Sequence, residues 1–132
     1  MTNEVEKTEA EWKKQLSPDR YAVLRKAATE APFSGSLLHV DSDGVFRCGG
    51  CGQLLFRSEQ KFDSGSGWPS FDACEEGTIV EREDRSLFRK RTEILCAKCG
   101  GHLGHVFDDG PTPTGLRYCV NSLALDYDET SN

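Results

Sequence analysis

Hydrophobic spacing divides the chain into two regimes. From about residue 8 to residue 29, apolar side chains recur three and four positions apart, the period of a helix with one buried face. Trp12 and Leu16 share one such face; Tyr21, Leu24 and Ala28 follow at the same spacing. Thr8-Glu9-Ala10-Glu11 has the form of a capping box, a hydroxyl three residues ahead of a carboxylate. Ser17-Pro18 reads as an N-cap followed by proline at the first helical position. These signals predict two short helices, closed by Pro32 and Gly35.

From about residue 36 the apolar runs shorten and glycine punctuates them, the pattern of strands and turns. Asp41-Ser42-Asp43-Gly44 separates residues 37–40 from 45–48 and predicts a hairpin that carries His39. Residues 54–56 form a further strand candidate. Asp84-Arg85-Ser86 lies between 78–83 and 87–95 and predicts a second hairpin. Residues 116–125 are the last long strand, and the chain from Asp128 onward is expected to be a loose tail. Glycine-rich segments at 64–67, 100–104 and 109–115 connect these elements. The 132 residues show no repeat or linker and suit one domain, with its core in about 9–127.

Charge and composition narrow the function. A net charge of −6 argues against a nucleic-acid binder. No apolar run approaches the roughly 18 residues needed to cross a bilayer. The polar, acidic N-terminus lacks the apolar stretch of a secretory signal. The chain therefore reads as soluble and cytoplasmic, without a membrane partner. In a reducing compartment its six cysteines suit metal and redox chemistry better than a disulfide framework.

Four of them form two Cys-x-x-Cys pairs, Cys48-Gly49-Gly50-Cys51 and Cys96-Ala97-Lys98-Cys99, with 44 residues between. Two thiolates at this spacing can reach one ion when the chain turns tightly, and four complete the closed tetrahedral shell of structural zinc. Gly52 and Gly100 follow the pairs, as tight turns require. A closed shell leaves no open coordination position, so the expected role of the metal is to clip two distant hairpins. Two separate redox motifs, or disulfides, are the alternatives.

Cys74 and Cys119 are left over. Cys119 lies in Arg117-Tyr118-Cys119-Val120-Asn121-Ser122, where strand alternation puts Arg117, Cys119 and Asn121 on one face and Tyr118 and Val120 on the other. A neighbouring guanidinium favours the nucleophilic thiolate, so Cys119 is a candidate nucleophile, weighed against an ordinary packed thiol. His102 and His105 would face opposite sides of a straight strand, but Gly104 between them permits a bulge that brings both round. Imidazoles there can give and take protons near neutral pH; one catalytic and one structural histidine, or a Cys/His metal site, are the alternatives.

Three segments carry a resemblance: Gly67-Trp68-Pro69-Ser70-Phe71, Cys99-Gly100-Gly101-His102-Leu103-Gly104-His105-Val106-Phe107, and Arg117-Tyr118-Cys119-Val120-Asn121-Ser122. They resemble the signature segments of the B-type methionine sulfoxide reductases, and the likeness runs from about residue 9 to residue 127. It implies a mainly β fold of two small antiparallel sheets (a β-tent, Mss4-like), with short N-terminal helices packed outside and zinc on Cys48, Cys51, Cys96 and Cys99. It implies an oxidoreductase of protein repair under oxidative stress, acting on the R epimer of methionine sulfoxide in peptides and proteins. By matching position, Cys119 is the nucleophile. His102 and His105 help protonate the sulfoxide oxygen, Asn121 and Arg117 orient the site and tune the thiol, and Trp68 with Phe107 packs against the substrate methyl.

One departure matters. Many relatives carry a second, resolving cysteine at or near Ser66, where this chain has only Ser64 and Ser66. Cys74 is then the internal candidate to resolve a Cys119 sulfenic acid, set against direct attack by an external thiol. A thioredoxin-class reductant is the expected partner. The rival from another class is a non-catalytic zinc-ribbon binding module, which would need neither Cys119 nor two histidines in a glycine-rich segment. A thiol peroxidase would use Cys119 but not a Trp68 platform.

Overall fold

The computed structural model describes residues 7–40, 42–84 and 91–129. Helices α1 (Glu9–Gln15) and α2 (Pro18–Lys26) form where the spacing predicts them. The Thr8 hydroxyl accepts the Glu11 N–H and the Glu11 carboxylate accepts the Thr8 N–H, so both arms of the capping box are made. Ser17 caps α2 ahead of Pro18. Helices this short are not stable alone. Burial of Trp12, Val23 and Leu24 holds them against the strands.

Nine strands form two antiparallel sheets among the described residues. The smaller contains β1 (Gly44–Cys48), β2 (Leu54–Arg57) and β9 (Leu125–Glu129) in the order β2-β1-β9. The larger contains β3 (Lys61–Phe62), β4 (Ser70–Phe71), β5 (Ile79–Asp84), β6 (Arg91–Cys96), β7 (His102–Phe107) and β8 (Arg117–Val120). Their order is β3-β4-β8-β7-β6-β5. Aromatic rings join the sheets: Phe56 of β2 stacks on Phe71 of β4 at 4.1 Å, and Phe46 of β1 meets Phe71 edge-on at 5.0 Å. This is the mainly β, two-sheet architecture the sequence implies. No described helix is long and apolar enough to cross a membrane.

Local expectations fail where strand edges are already taken. Residues 37–40 form no strand, because β2 and β9 occupy both edges of β1; Leu37 and Val40 pack on the core from a loop instead. The long strand expected over 116–125 is two strands in different sheets. The chain leaves the larger sheet after Val120, makes one 3-10 turn at Ser122–Ala124 and enters the smaller sheet as β9. Asp128 and Glu129 therefore pair with Val45 and Gly44 rather than forming a loose tail. Asp41, residues 85–90, where most of the expected turn and the start of the expected 87–95 strand fall, and residues 130–132 lie outside the described residues, but β5 and β6 pair from Ile79 and Cys96 to Asp84 and Arg91.

The contact between β7 and β8 is especially close. A methyl group on Gly104 would lie 2.0 Å from the Cys119 carbonyl oxygen. Gly104→Ala must separate the two strands, and is expected to lower the melting temperature by about 10 °C in a thermal unfolding scan.

Candidate functional site

The first candidate centre joins the sheets. β1 ends on Cys48 and β6 on Cys96, and each strand end turns back through the same knuckle: Gly52 N–H donates to Cys48 O and Gly100 N–H to Cys96 O, both at 2.8 Å. Gly52 and Gly100 adopt φ of 84° and 76°, where any side chain would be strained. The Sγ atoms of Cys48 and Cys99 are 3.6 Å apart, as are those of Cys51 and Cys96. All four sulfurs lie within 4.8 Å of one another. The cluster can hold one metal ion, and its chemistry favours a cation. Hydrogen bonding to Cys51, Cys96 and Cys99, then burial, pushes the Cys48 thiol up, while hydrogen bonding to Cys48 pulls the Cys51 and Cys96 thiols down.

The helices seal this knuckle pair rather than merely packing outside. Gln15 Nε2 donates to Gly50 O at 2.8 Å, and Arg25 donates to Cys99 O at 3.0 Å. The Arg25 guanidinium also covers the Trp12 ring at 4.6 Å.

The second centre is a cleft of about 490 Å³. Cys119, Arg117 and Asn121 stand in its wall, with His105 and Phe107 from β7 and Ser66 and Trp68 from the loop before β4. Strand register explains the grouping. His105 pairs with Cys119 and Phe107 with Arg117 across β7 and β8, so these side chains share one face. Tyr118 and Val120 alternate into the core. Asn121 is fixed from two sides: its Oδ1 accepts the Glu30 N–H at 3.0 Å and its Nδ2 donates to Leu103 O at 3.1 Å. Glu30 O in turn accepts the Trp68 indole N–H at 3.0 Å. One backbone unit thus ties the indole to the amide.

A bulge brings the two histidines together. Ile94 pairs with Gly104 but Leu95 with His102, so Leu103 is an extra residue on β7. The rings of His102 and His105 lie 5.6 Å apart. Their surroundings differ. His105 lines the cleft, with Nε2 2.8 Å from an Asp84 oxygen that Arg91 also reaches at 3.2 Å. Burial pushes the His105 pKa down, against the pull of Asp84. His102 is buried behind it and does not line the cleft. Its Nδ1 is 2.6 Å from Glu93 Oε2, while Arg82 donates to Glu93 Oε1 at 2.8 and 3.0 Å. His102 Nε2 has no partner among the described residues.

Residues 16–129 match the family model described as the SelR domain. The chain belongs to the SelR family. Similar proteins named "Peptide methionine sulfoxide reductase MsrB" come from Methanosarcina barkeri, Bradyrhizobium diazoefficiens and Leptospira interrogans. The first is 54% identical, with 93% of this chain and 87% of that protein covered. The second is 57% identical, with 93% and 89% covered. The third is 51% identical, with 96% and 98% covered. The solved structure of a Mis18 "Yippee-like" domain is similar in fold, with a TM-score of 0.56 at 19% identity over 68% of this chain and 99% of that one.

In this SelR chain the electrostatics of the cleft differ from the sequence expectation. Burial pushes the Cys119 thiol up; the Ser66 hydroxyl and then Arg117 pull it down, while Glu30 and Asp109 push it further up. Arg117 acts in the expected direction but does not prevail. Its guanidinium is gripped by both oxygens of Asp109 at 2.9 and 3.1 Å and lies over the Phe107 ring at 4.4 Å. Cys74 is not in the cleft wall; its sulfur lies 3.8 Å from the hydroxyl of Tyr118, which points to the other face of β8 from Cys119. Sequence reasoning missed Glu93, Asp84 and Glu30. Glu93 lies within the strand that becomes β6, behind Arg91 and Thr92, so its residue type did not mark it.

Proposed function

We propose that this chain reduces the R epimer of methionine sulfoxide in peptides and proteins, with Cys119 as the nucleophile. The observation that carries this reading is a thiol outside the metal cluster, set in a cleft and paired across the sheet with His105. The names of the SelR relatives support it.

The sulfoxide oxygen is a poor leaving group until protonated, so attack on sulfur needs an acid nearby. His105 beside Cys119 and His102 behind it fill that role. The low pKa of His105 makes its ring a ready proton donor once charged. Cys119 attacks the sulfoxide sulfur as the oxygen takes up a proton. Thiol plus sulfoxide become sulfenic acid plus thioether, and the oxygen ends on Cys119. Trp68, with Phe107, offers the substrate S-methyl group an apolar, electron-rich face. Asn121 and Arg117 hold the thiol's surroundings. With methyl on the indole and oxygen toward the imidazoles, one epimer presents its sulfur to Cys119.

Two external thiol groups then convert the sulfenic acid to thiol and water, leaving one disulfide on a thioredoxin-class reductant. The Cys74 position on the opposite face supports external over internal resolution. Zinc is the proposed ion: a Zn–S bond of about 2.3 Å in a tetrahedron sets sulfurs about 3.8 Å apart, near the 3.6 Å of the Cys48–Cys99 and Cys51–Cys96 pairs. Cys48, Cys51, Cys96 and Cys99 would hold it in a closed, structural shell. Reduced thiolates suit a cytoplasmic setting. The Mis18-type likeness is one of fold alone, and no observation favours a non-catalytic binding module.

Each epimer of a blocked methionine sulfoxide, incubated with dithiothreitol and the protein, tests the proposal. The R epimer should be consumed and the S epimer left; turnover of S, or of neither, refutes it. His105→Asn should lower kcat by about 10²- to 10⁴-fold at saturating substrate, with bound metal unchanged.

A further inference from the structure

Phe33 breaks two local rules at once. Its ring is 68% exposed, and among the described residues it is the one large hydrophobic side chain left open to solvent. Its backbone stands at φ 64°, the left-handed region that a bulky side chain rarely enters. The setting is a tight turn: Ser34 N–H donates to Ala31 O at 3.2 Å, with Pro32 and Phe33 as the central residues. Proline suits the first central place, but a positive φ in the second ordinarily calls for glycine or asparagine. Neither burial nor backbone preference accounts for phenylalanine here. A residue held in a disfavoured conformation by its surroundings points to a functional use.

The turn is fastened to the loop that walls the cleft. Phe33 N–H donates to Gly67 O at 2.7 Å, and Glu30 O accepts the Trp68 indole N–H at 3.0 Å. Thr29, Ser66 and Trp68 line the cleft, and Phe33 does not. Gly67 brings the two segments into contact. A methyl group on Gly67 would lie 2.7 Å from Pro32 Cβ and 3.1 Å from Cδ2 and Cε2 of the Phe33 ring. The ring thus lies against the backbone between two residues of the cleft wall, just outside the space that would take a sulfoxide side chain.

We infer that the Phe33 ring is a docking face for the polypeptide substrate, taking an apolar side chain two or three residues from the methionine sulfoxide held in the cleft. This rests on the reading of the cleft as a site for methionine sulfoxide in peptides. The occupant follows from position. The ring adjoins the cleft through Gly67, and an extended chain advances about 3.5 Å per residue. A peptide whose sulfoxide enters beside Trp68 therefore passes the ring with one of its next side chains, whereas a single amino acid ends short of it. The turn and the Gly67 hydrogen bond set the ring's backbone before substrate arrives, so little freedom is lost on contact. An aromatic face also covers a large apolar area for one side chain.

Steady-state assay with three forms of the R epimer tests this. They are the blocked amino acid, a peptide with leucine at the second and third positions to either side of the sulfoxide, and the same peptide with glycine in those places. In the parent, KM should be about tenfold lower for the leucine peptide than for the glycine peptide, with kcat alike. Phe33→Ala should bring the leucine peptide up to the glycine peptide and leave the blocked amino acid at the parent's value. Phe33→Gly should do the same at the parent's melting temperature, since glycine adopts a positive φ freely and keeps the turn. Phe33→Trp should retain the preference. A parent with equal KM for the two peptides overturns the proposal. So do Phe33→Ala and Phe33→Gly variants that keep the parent's preference, or that raise KM for the blocked amino acid by as much. A parent dimer in sedimentation that Phe33→Gly dissolves, with the peptide preference intact, gives the ring to a second copy of the chain and also overturns it. Failure of the cleft reading shows separately, as a parent that does not consume the blocked R epimer.

Discussion

Replacing Cys96 by serine should release the metal and lower the melting temperature by about 20 °C or more. Cys96 ends β6 and its sulfur lies 3.6 Å from that of Cys51, across the gap between the two sheets. The aromatic contacts join β1 and β2 to β4 rather than to β6. The helices dock on the same knuckles, through Gln15 to Gly50 and Arg25 to Cys99, so they lose their seat with the clip. Apparent binding of structural zinc is about 10 kcal/mol or more, against a total stability of about 5–15 kcal/mol for an ordinary domain. Removing the clip therefore outweighs most of what remains. A circular-dichroism melt with metal analysis checks it, and a chelator should reproduce the effect in the parent chain. Unchanged melting with undiminished metal would show that the cluster does not carry the fold.

Replacing Cys119 by serine should do the opposite: leave fold and metal intact and lower turnover by about 10⁴-fold or more. The thiol stands in a cleft wall rather than in the core cluster, and serine is nearly its shape. The hydroxyl, however, is a far weaker nucleophile at neutral pH than a thiol that ionises in part. The five other cysteines do not substitute. Four are held in the metal cluster, and Cys74 contacts Tyr118 on the far face of β8. Steady-state assay beside a melting curve separates loss of chemistry from loss of fold. Turnover within tenfold of the parent would move the nucleophile elsewhere.

Much of this was legible along the chain, and the parts that were not share physical reasons. The capping box and Ser17-Pro18 are local chemistry, and the helices start where they say. The paired cysteines with their following glycines are local too, and the two knuckles match them. Alternation around Cys119 was readable because Tyr118 and Val120 must be buried. Strand partners are not local. Nothing in residues 37–40 reveals that both edges of β1 are already filled, and nothing in 116–125 distinguishes one strand from two strands split by a single turn at Ser122–Ala124. The supporting groups of the site suffer the same limit. Glu93 reaches His102 because a bulge on β7 turns that ring, and Glu30 reaches both Trp68 and Asn121 through its backbone, which leaves no trace in residue type.

The most direct test treats the reduced protein with one equivalent of the R epimer of a blocked methionine sulfoxide, with no thiol present, and maps the products by peptide mass. The account predicts one methionine released per chain and one oxygen atom gained on the peptide that holds Cys119, with the four metal-binding cysteines unchanged. An oxygen found elsewhere, or a cross-link between Cys74 and Cys119, would contradict it.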